Sequence, residues 1–321
     1  MDWSRIERRS ASAGPAPGVY ADLDALIRIQ FQARDFSFQP RQPVASVLSG
    51  RYASRLRGRG LNFEELRGYL PGDDIRHMDW KVTARTRSPH VRVYAEDKDR
   101  TVLLVVDQRQ NMFFGTKNRL KSVTAAELAA LGAWRAIDVG DRVGAIVFND
   151  HEVAEVRPQR SQQAVMQILG HVVAQNHELS ADSTVEPDAG ALNRMLDRAR
   201  IFAPHDALVI VITDGFGVDE ETERATARLV EHNDVLGLLV HDPWRFDPGP
   251  ARFTASDGNL QMEVDFRNEA LRKKVAEDYR QEHADLVRHF RRLTAPLLTI
   301  SNEGDVVAQV RRLLGVPGGA S

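Results

Sequence analysis

Two aspartates, Asp107 and Asp214, close two apolar runs, Thr101-Val102-Leu103-Leu104-Val105-Val106 and Ala207-Leu208-Val209-Ile210-Val211-Ile212-Thr213. Near-continuous apolar runs of this length suit parallel strands covered on both faces. In an open α/β sheet, ligands bind outside the carboxyl ends of the strands. A carboxylate at each tip offers hard oxygen to a divalent cation or negative charge to a cationic group. Gln108-Arg109-Gln110-Asn111 follows the first tip. Asn111 carries a carbonyl oxygen able to ligate. Arg109 has five donors, no acceptor and a permanent charge, so it cannot ligate a cation, but it can neutralise carboxylates.

Two further groups have chemical potential. Asp73, Asp74, His77 and Asp79 lie close together, with His90 and Glu96 downstream. Carboxylates beside an imidazole can do general acid–base work, so a hydrolase using the 73–79 segment is one alternative function. Hydrogen-bonded pairs and caps are the commoner use of such residues, and no metal cluster is expected there. Arg51, Arg55, Arg57, Arg59 and Arg67, interleaved with Tyr52, Phe63 and Tyr69, give a second alternative, a nucleic-acid contact. Glu64, Glu65, Asp73 and Asp74 oppose them. Sequence-independent binding needs several uncancelled cations, so nucleic acid is not the expected partner.

Other chemistry is excluded by residue type. The chain has no cysteine, hence no disulfide, thiolate metal site or cysteine nucleophile. It has no Gly-x-x-x-x-Gly-Lys-Ser/Thr loop and no Gly-x-Ser-x-Gly elbow. His177-Glu178 lacks a second histidine four residues on. Gly58-Arg59-Gly60-Leu61-Asn62-Phe63 has two glycines of a dinucleotide fingerprint, not three, and precedes the sheet. With 321 residues, 42% hydrophobic, 27% charged and a net charge of −2, the chain is an ordinary globular sequence with no pull toward polyanions. No run is long enough to span a membrane, and the polar N-terminus lacks a signal peptide's apolar core.

The segment from Arg57 onward is the most distinctive: Gly58-Arg59-Gly60-Leu61-Asn62-Phe63-Glu64-Glu65-Leu66-Arg67-Gly68-Tyr69-Leu70-Pro71-Gly72-Asp73-Asp74-Ile75-Arg76-His77-Met78-Asp79-Trp80. With its Arg67, Gly72, Asp73, Asp74, Arg76, Asp79 and Trp80, this string resembles the domain of unknown function 58 family. The resemblance is strong over residues 50 to 115 and rests on topology elsewhere. It implies a von Willebrand factor type A-like second half, a MoxR-type AAA+ ATPase as partner, and a non-enzymatic adaptor role. Relatives often carry membrane helices; this chain is expected to be a cytoplasmic form.

Type A domains often hold Mg²⁺ at the switch point through Asp-x-Ser-x-Ser, a threonine from a second loop and an aspartate after the fourth strand. Asp107 and Asp214 match the two aspartates. Arg109 and Asn111 stand at the serine positions, and Asp188-Ala189-Gly190-Ala191-Leu192 offers no threonine. Three arrangements fit these residues: a retained metal, an arginine bridging Asp107 and Asp214, or an inert site with Arg109 turned outward. Charge balance favours the arginine bridge with no cofactor, a degenerate adhesion site.

The elements that must position these groups follow from periodicity. The fold class is α/β, a doubly wound, mainly parallel six-stranded sheet, for which the type A resemblance implies the order 3-2-1-4-5-6. The division expected is a flexible tail over 1–19, a smaller module over 20–97 and the sheet domain over 98–315. Strands are expected at Val102–Val106, Val143–Phe148, Glu152–Val156 (an antiparallel edge), Ala207–Thr213, Val235–Val240 and Leu297–Ile300. Apolar residues three or four apart mark helices around Leu23–Phe31, Leu120–Ile137, Val165–Val172, Leu192–Ala199, Leu271–Phe290 and Val306–Leu313. In the smaller module, Pro43–Leu48 reads as extended, Phe63–Arg67 as a helical turn and Val91–Ala95 as a half-exposed strand. Phe63, Leu66, Tyr69, Ile75 and Trp80 are expected to pack as one cluster against the sheet domain, with Trp80 as anchor.

Overall fold

The computed structural model describes residues 17–34, 61–70, 73–96, 99–247, 249–250, 252–256, 261–292 and 295–314. In chain order the helices and strands are α1 (Leu23–Arg28), β1 (Leu61–Gly68), α2 (Trp80–Thr86), β2 (His90–Glu96), β3 (Thr101–Asp107), α3 (Lys121–Asp138), β4 (Arg142–Phe148) and β5 (Val153–Gln159). They continue with α4 (Gln162–His177), α5 (Ala191–Phe202), β6 (Ala207–Thr213), α6 (Glu220–Val230), β7 (Asp234–His241), β8 (Arg252–Ser256), β9 (Gln261–Asp265), α7 (Glu269–Arg292), β10 (Leu297–Ser301) and α8 (Val306–Leu313).

The chain divides into two compact units. Ser49–Asp99 forms one; the residues before it and Arg100–Ser321 form the other. In the larger unit the sheet order is β10-β7-β6-β3-β4-β5. Every pair is parallel except β4 with β5. Numbered within this sheet, that is the type A order 3-2-1-4-5-6, with the third strand antiparallel at an edge. Side chains alternate across the sheet as a period of two requires. Val102, Leu104 and Val106 of β3 face a core shared with α1, α3, α4 and α8, while Leu103 and Val105 face one shared with α5, α6 and α7. All five are buried. Burying each such side chain stabilises by roughly 1.5–3 kcal/mol before chain entropy is counted.

The expected boundaries shift at the N-terminus. Helix α1 belongs with the sheet unit, not with a 20–97 module. Leu26 is 1% exposed, the Trp134 indole N–H donates to its carbonyl at 3.1 Å, and Tyr20 donates through its hydroxyl to Leu179 O at 3.0 Å. The 1–19 tail is also shortened, because Leu120 N–H donates to Gly18 O at 2.9 Å. Gly18 has φ +86° and lies so close to Asn118 that an added Cβ would sit 2.0 Å from its carbonyl oxygen. A left-handed residue in so tight a contact must be glycine.

The smaller unit is an antiparallel pair, β1 with β2, from Leu61↔Glu96 to Gly68↔His90 with an irregularity between Phe63 and Glu65. Phe63–Arg67 is therefore strand, not a helical turn. Between the strands lies α2, started by Asp79, whose Oδ1 accepts from Lys81 N and Val82 N at 3.0 Å each. The single apolar cluster expected here does not form. Ile75 is 59% and Trp80 65% exposed, so Trp80 anchors nothing. Trp80 opens a seven-residue helix whose half-buried positions are Val82 and Thr83, and Trp80 itself is exposed. Pro43–Leu48, Arg51, Arg55, Arg57, Arg59 and Gly72 lie outside the described residues. A hairpin of β8 and β9 precedes α7 and was not legible in the periodicity. Among the described residues no helix is long and apolar enough to cross a membrane.

Candidate functional site at the sheet switch point

Strands β3 and β6 pair in parallel at the switch point, so their tips bring Asp107 and Asp214 to the same edge. Asp107 is fully buried. Its Oδ1 accepts from Arg109 N and Arg109 Nε, both at 3.0 Å, and its Oδ2 from Arg109 Nη2 at 2.6 Å and Thr213 Oγ1 at 2.8 Å. The guanidinium thus grips the carboxylate with two parallel bonds, the strongest geometry for this pair.

Arg109, also 0% exposed, reaches two further loops. Nη1 donates to Asp188 O at 2.7 Å and Nη2 to Phe216 O at 3.1 Å. Its plane lies between the rings of Phe148 and Phe216, 5.5 and 5.4 Å away. Burial pulls the Arg109 pKa down, but the charge and hydrogen bonds of Asp107, with Asp214 and Asp150 beyond, outweigh it and hold it above its ordinary value. The group is a fixed cation tying three loops. Gly217 lets the Phe216 loop close in: its φ is +77°, and a Cβ there would meet Ala189 O at 2.2 Å.

Asp214 has other partners. The expected bridge from Arg109 to Asp214 is not made; Lys121, at the first position of α3, forms the ion pair instead. Asn111 Nδ2 donates to Asp214 Oδ1 at 2.7 Å, and Phe216 N–H to the same oxygen at 3.0 Å. Burial raises the Asp214 pKa, yet the charge and hydrogen bond of Lys121, with Asn111 and Phe216, reverse this and hold it well below the carboxylate range. Lys121 is 3% exposed, and its Nζ lies 5.7 Å from the centroid of the Phe114 ring. Each strand-tip carboxylate therefore meets a cation of the chain itself.

A divalent cation does not fit this donor set. All four carboxylate oxygens already accept from N–H or O–H groups, and a guanidinium and an ammonium occupy the positive positions. Asn111 turns its amide nitrogen, not its carbonyl, toward Asp214. Its Oδ1 is buried and has no hydrogen-bond partner. No cluster of three or more His, Asp or Glu able to hold a metal occurs among the described residues.

A buried polar chain leads away from the site. Gln108 is fully buried; its Nε2 donates to Ser122 O at 3.0 Å and its Oε1 accepts from Asn176 Nδ2 at 2.9 Å. Asn176 Oδ1 in turn accepts from Ala21 N at 2.7 Å. Asp150 accepts from Gln110 N at 2.6 Å and Asp188 N at 2.8 Å, fixing the first and second loops to each other. Lys121, Gln108, Asp150 and Asn176 were all missed from sequence. A lysine at an inward position of an otherwise apolar helix was the one available signal.

The motif residues of the smaller unit form a separate set. Arg67 pairs with Asp73 through Nη1 at 2.9 Å and Nη2 at 2.8 Å, and Leu70 N–H adds a third bond at 2.8 Å. The Arg67 hydrogen bond, then that of Leu70, holds the Asp73 carboxyl below its ordinary pKa. Asp74 Oδ1 accepts from Arg76 N at 2.9 Å, and Asp79, 7% exposed, caps α2. These carboxylates serve the backbone and Arg67.

The family model described as protein of unknown function DUF58 matches residues 65–285. The chain belongs to the DUF58 family. Uncharacterized proteins of Mycobacterium tuberculosis and Mycobacterium bovis are 29% identical to this DUF58 chain over 283 residues, covering 88% of it and 87% of each relative. A solved von Willebrand factor type A protein from Catenulispora acidiphila aligns with a TM-score of 0.36 at 12% identity, over 70% of this chain. The chain spans 43% of that structure's length.

Proposed function

We propose that this DUF58 protein is a non-enzymatic, cytoplasmic protein-interaction module acting as an adaptor for a MoxR-type AAA+ ATPase. One observation carries the reading: Arg109 joins the loops of Asp107, Asp188 and Phe216 in a buried knot. In adhesion-type sites a metal assembles these loops and offers a coordination position to the partner's carboxylate. Here the loops are assembled by the chain's own cations, as suits a constitutively formed, metal-independent docking face. The adaptor role rests on analogy within the fold and on the family resemblance, since fold alone does not fix function. The carboxylates of the 73–79 segment support the non-enzymatic reading, because Asp73, Asp74 and Asp79 each cap or pair a local group.

The test is affinity purification of the tagged full chain from its native host, followed by assay of the partner's ATP turnover. Co-purification of an AAA+ ATPase whose turnover changes on adding the chain, undiminished by EDTA in the binding step, is expected. Failure to retain any ATPase, or turnover of ester, phosphoester or peptide substrates by the chain alone, overturns the reading.

A further inference from the structure

The exposed face of α2 is a surface that neither the fold nor the switch point uses. Within the helix Val82 and Thr83 turn inward, and Thr83 Oγ1 accepts from His90 N at 3.0 Å. Trp80, Lys81, Ala84 and Arg85 are exposed, at the i, i+1, i+4 and i+5 spacing that makes one contiguous helix face. Ile75 and Arg76 precede it in a short 3-10 turn, and Arg87 follows it as the left-handed cap at φ 58°. All three are exposed.

Charge on this segment is one-sided. Among the described residues Arg76, Lys81, Arg85 and Arg87 make no ion pair. The nearby carboxylates are committed: Asp73 to Arg67, and Asp79, nearly buried, to the α2 cap. Asp74 is the exposed carboxylate, with Oδ1 on Arg76 N. An exposed tryptophan and isoleucine set among four uncompensated cations is an unusual surface for a chain whose net charge is −2. Tryptophan and arginine are also the residue types that dominate binding energy at protein interfaces.

We propose that this face docks an acidic protein segment, with Trp80 and Ile75 packing on its apolar residues and Arg76, Lys81, Arg85 and Arg87 facing the carboxylates that flank them. The proposal rests on the interaction-module reading and names the partner chemistry at a second surface. A single-stranded nucleic acid fits less well: its bases stack on successive aromatic platforms, and this segment has one tryptophan beside an aliphatic side chain and an imidazole. A bilayer fits less well because a seven-residue helix with one tryptophan lacks the apolar stripe of an interfacial helix.

The experiment places p-benzoylphenylalanine at position 80 of the full chain in its native host, with the same probe at Ile201, 77% exposed on α5, as control. Photo-crosslinked material is digested and the joined peptide sequenced. The expected product at position 80 is a protein segment with apolar residues flanked by Asp and Glu. A synthetic peptide of that segment should bind the full chain. It should bind about tenfold more weakly, or worse, to Trp80→Ala and to Arg76→Glu/Lys81→Glu/Arg85→Glu. Both variants should keep the thermal midpoint of the parent. Crosslinks to nucleic acid, lipid, this chain itself or a neutral or basic segment overturn the proposal, as does a yield at position 80 no higher than at 201. A large fall in midpoint for Trp80→Ala also overturns it, since the ring would then be covered within the chain. If an AAA+ ATPase co-purifies with the chain and no acidic segment joins at position 80, the adaptor reading stands and this surface falls. If an acidic segment joins at position 80 and no ATPase is retained, the reverse holds.

Discussion

At the scale of single residues, the switch point depends on two cations doing different work. The Arg109 guanidinium makes four hydrogen bonds to oxygen that only a planar fork can satisfy at once, whereas Lys121 supplies a point charge to Asp214. Arg109→Met leaves the Asp107 carboxylate buried with no cation, and breaking a buried pair in this way costs about 3–5 kcal/mol. Arg109→Lys should recover little of that, because an ammonium cannot reach both Asp107 oxygens and the carbonyls of Asp188 and Phe216. Urea unfolding of the three chains decides it; a lysine variant within about 0.5 kcal/mol of the parent, the level of a neutral surface change, contradicts the fork argument. The same geometry sets the metal response. Mg²⁺ should give no saturable heat with the parent, nor with Arg109→Ser/Asn111→Ser, because Lys121 still neutralises Asp214. Adding Lys121→Ala should open weak binding. Saturable binding by the parent that vanishes on Asp107→Ala would revive the adhesion-site reading. The loss of a cation-ligating side chain at position 109 was legible in the sequence, since guanidinium chemistry needs no fold to interpret. Lys121 was not, because its burial beside Asp214 exists only once α3 is laid along β3.

At the scale of elements, tryptophans that look alike in the sequence differ by their helix face. Trp134 on α3 is 7% exposed and holds α1 through its indole N–H, so Trp134→Ala should cost about 3–5 kcal/mol and free the Tyr20–Ala33 segment to proteolysis. Apolar spacing marked the Leu120–Ile137 helix that carries Trp134; the anchor role expected of Trp80 had no such spacing behind it, because seven residues give too few turns to define a stripe. A second element-level consequence concerns pH. His241, at the end of β7, packs against His283 and Phe246 with ring centroids 6.2 and 5.3 Å away, and its Nδ1 lies 3.1 Å from Ile300 O. Burial first, then the neighbouring His283, lowers its pKa from 6.5 to about 4. The unfolded chain therefore binds this proton more readily than the folded one, so the contribution is complete above the unfolded value and is lost as pH falls from 6.5 toward 4. The thermal midpoint should drop on acidification through that window, and His241→Phe should flatten the drop. Superimposable pH profiles for the two chains would remove His241 from the account.

At the scale of the whole molecule, five strands of the large sheet were legible as apolar runs and β5 as the strand of a hairpin, while their order was expected from the family resemblance and is the order observed. The division of the chain was harder. Helix α1 is amphipathic wherever it sits, and nothing in its spacing says that its apolar face lies against α3 and not in the module that follows it in sequence. Its contacts with Trp134, Asn176 and Leu179 decide the point. The larger unit thereby holds every strand of the six-stranded sheet, helices on both faces and the complete switch-point knot, all drawn from residues before Ser49 and after Asp99. Replacing Ser49–Asp99 by a Gly/Ser linker of about 12 residues, flexible enough to span roughly 20 Å, should therefore leave a chain that melts in one cooperative step and still loses several kcal/mol on Arg109→Met. The isolated Ser49–Asp99 segment should show no such transition, because the one strand pair and seven-residue helix among its described residues bury too little apolar surface to offset chain entropy. Calorimetry on both pieces tests this. A broad, non-cooperative melt from the linker-bridged chain would mean that the smaller unit is part of the folding core and that the two-unit description of the molecule is wrong.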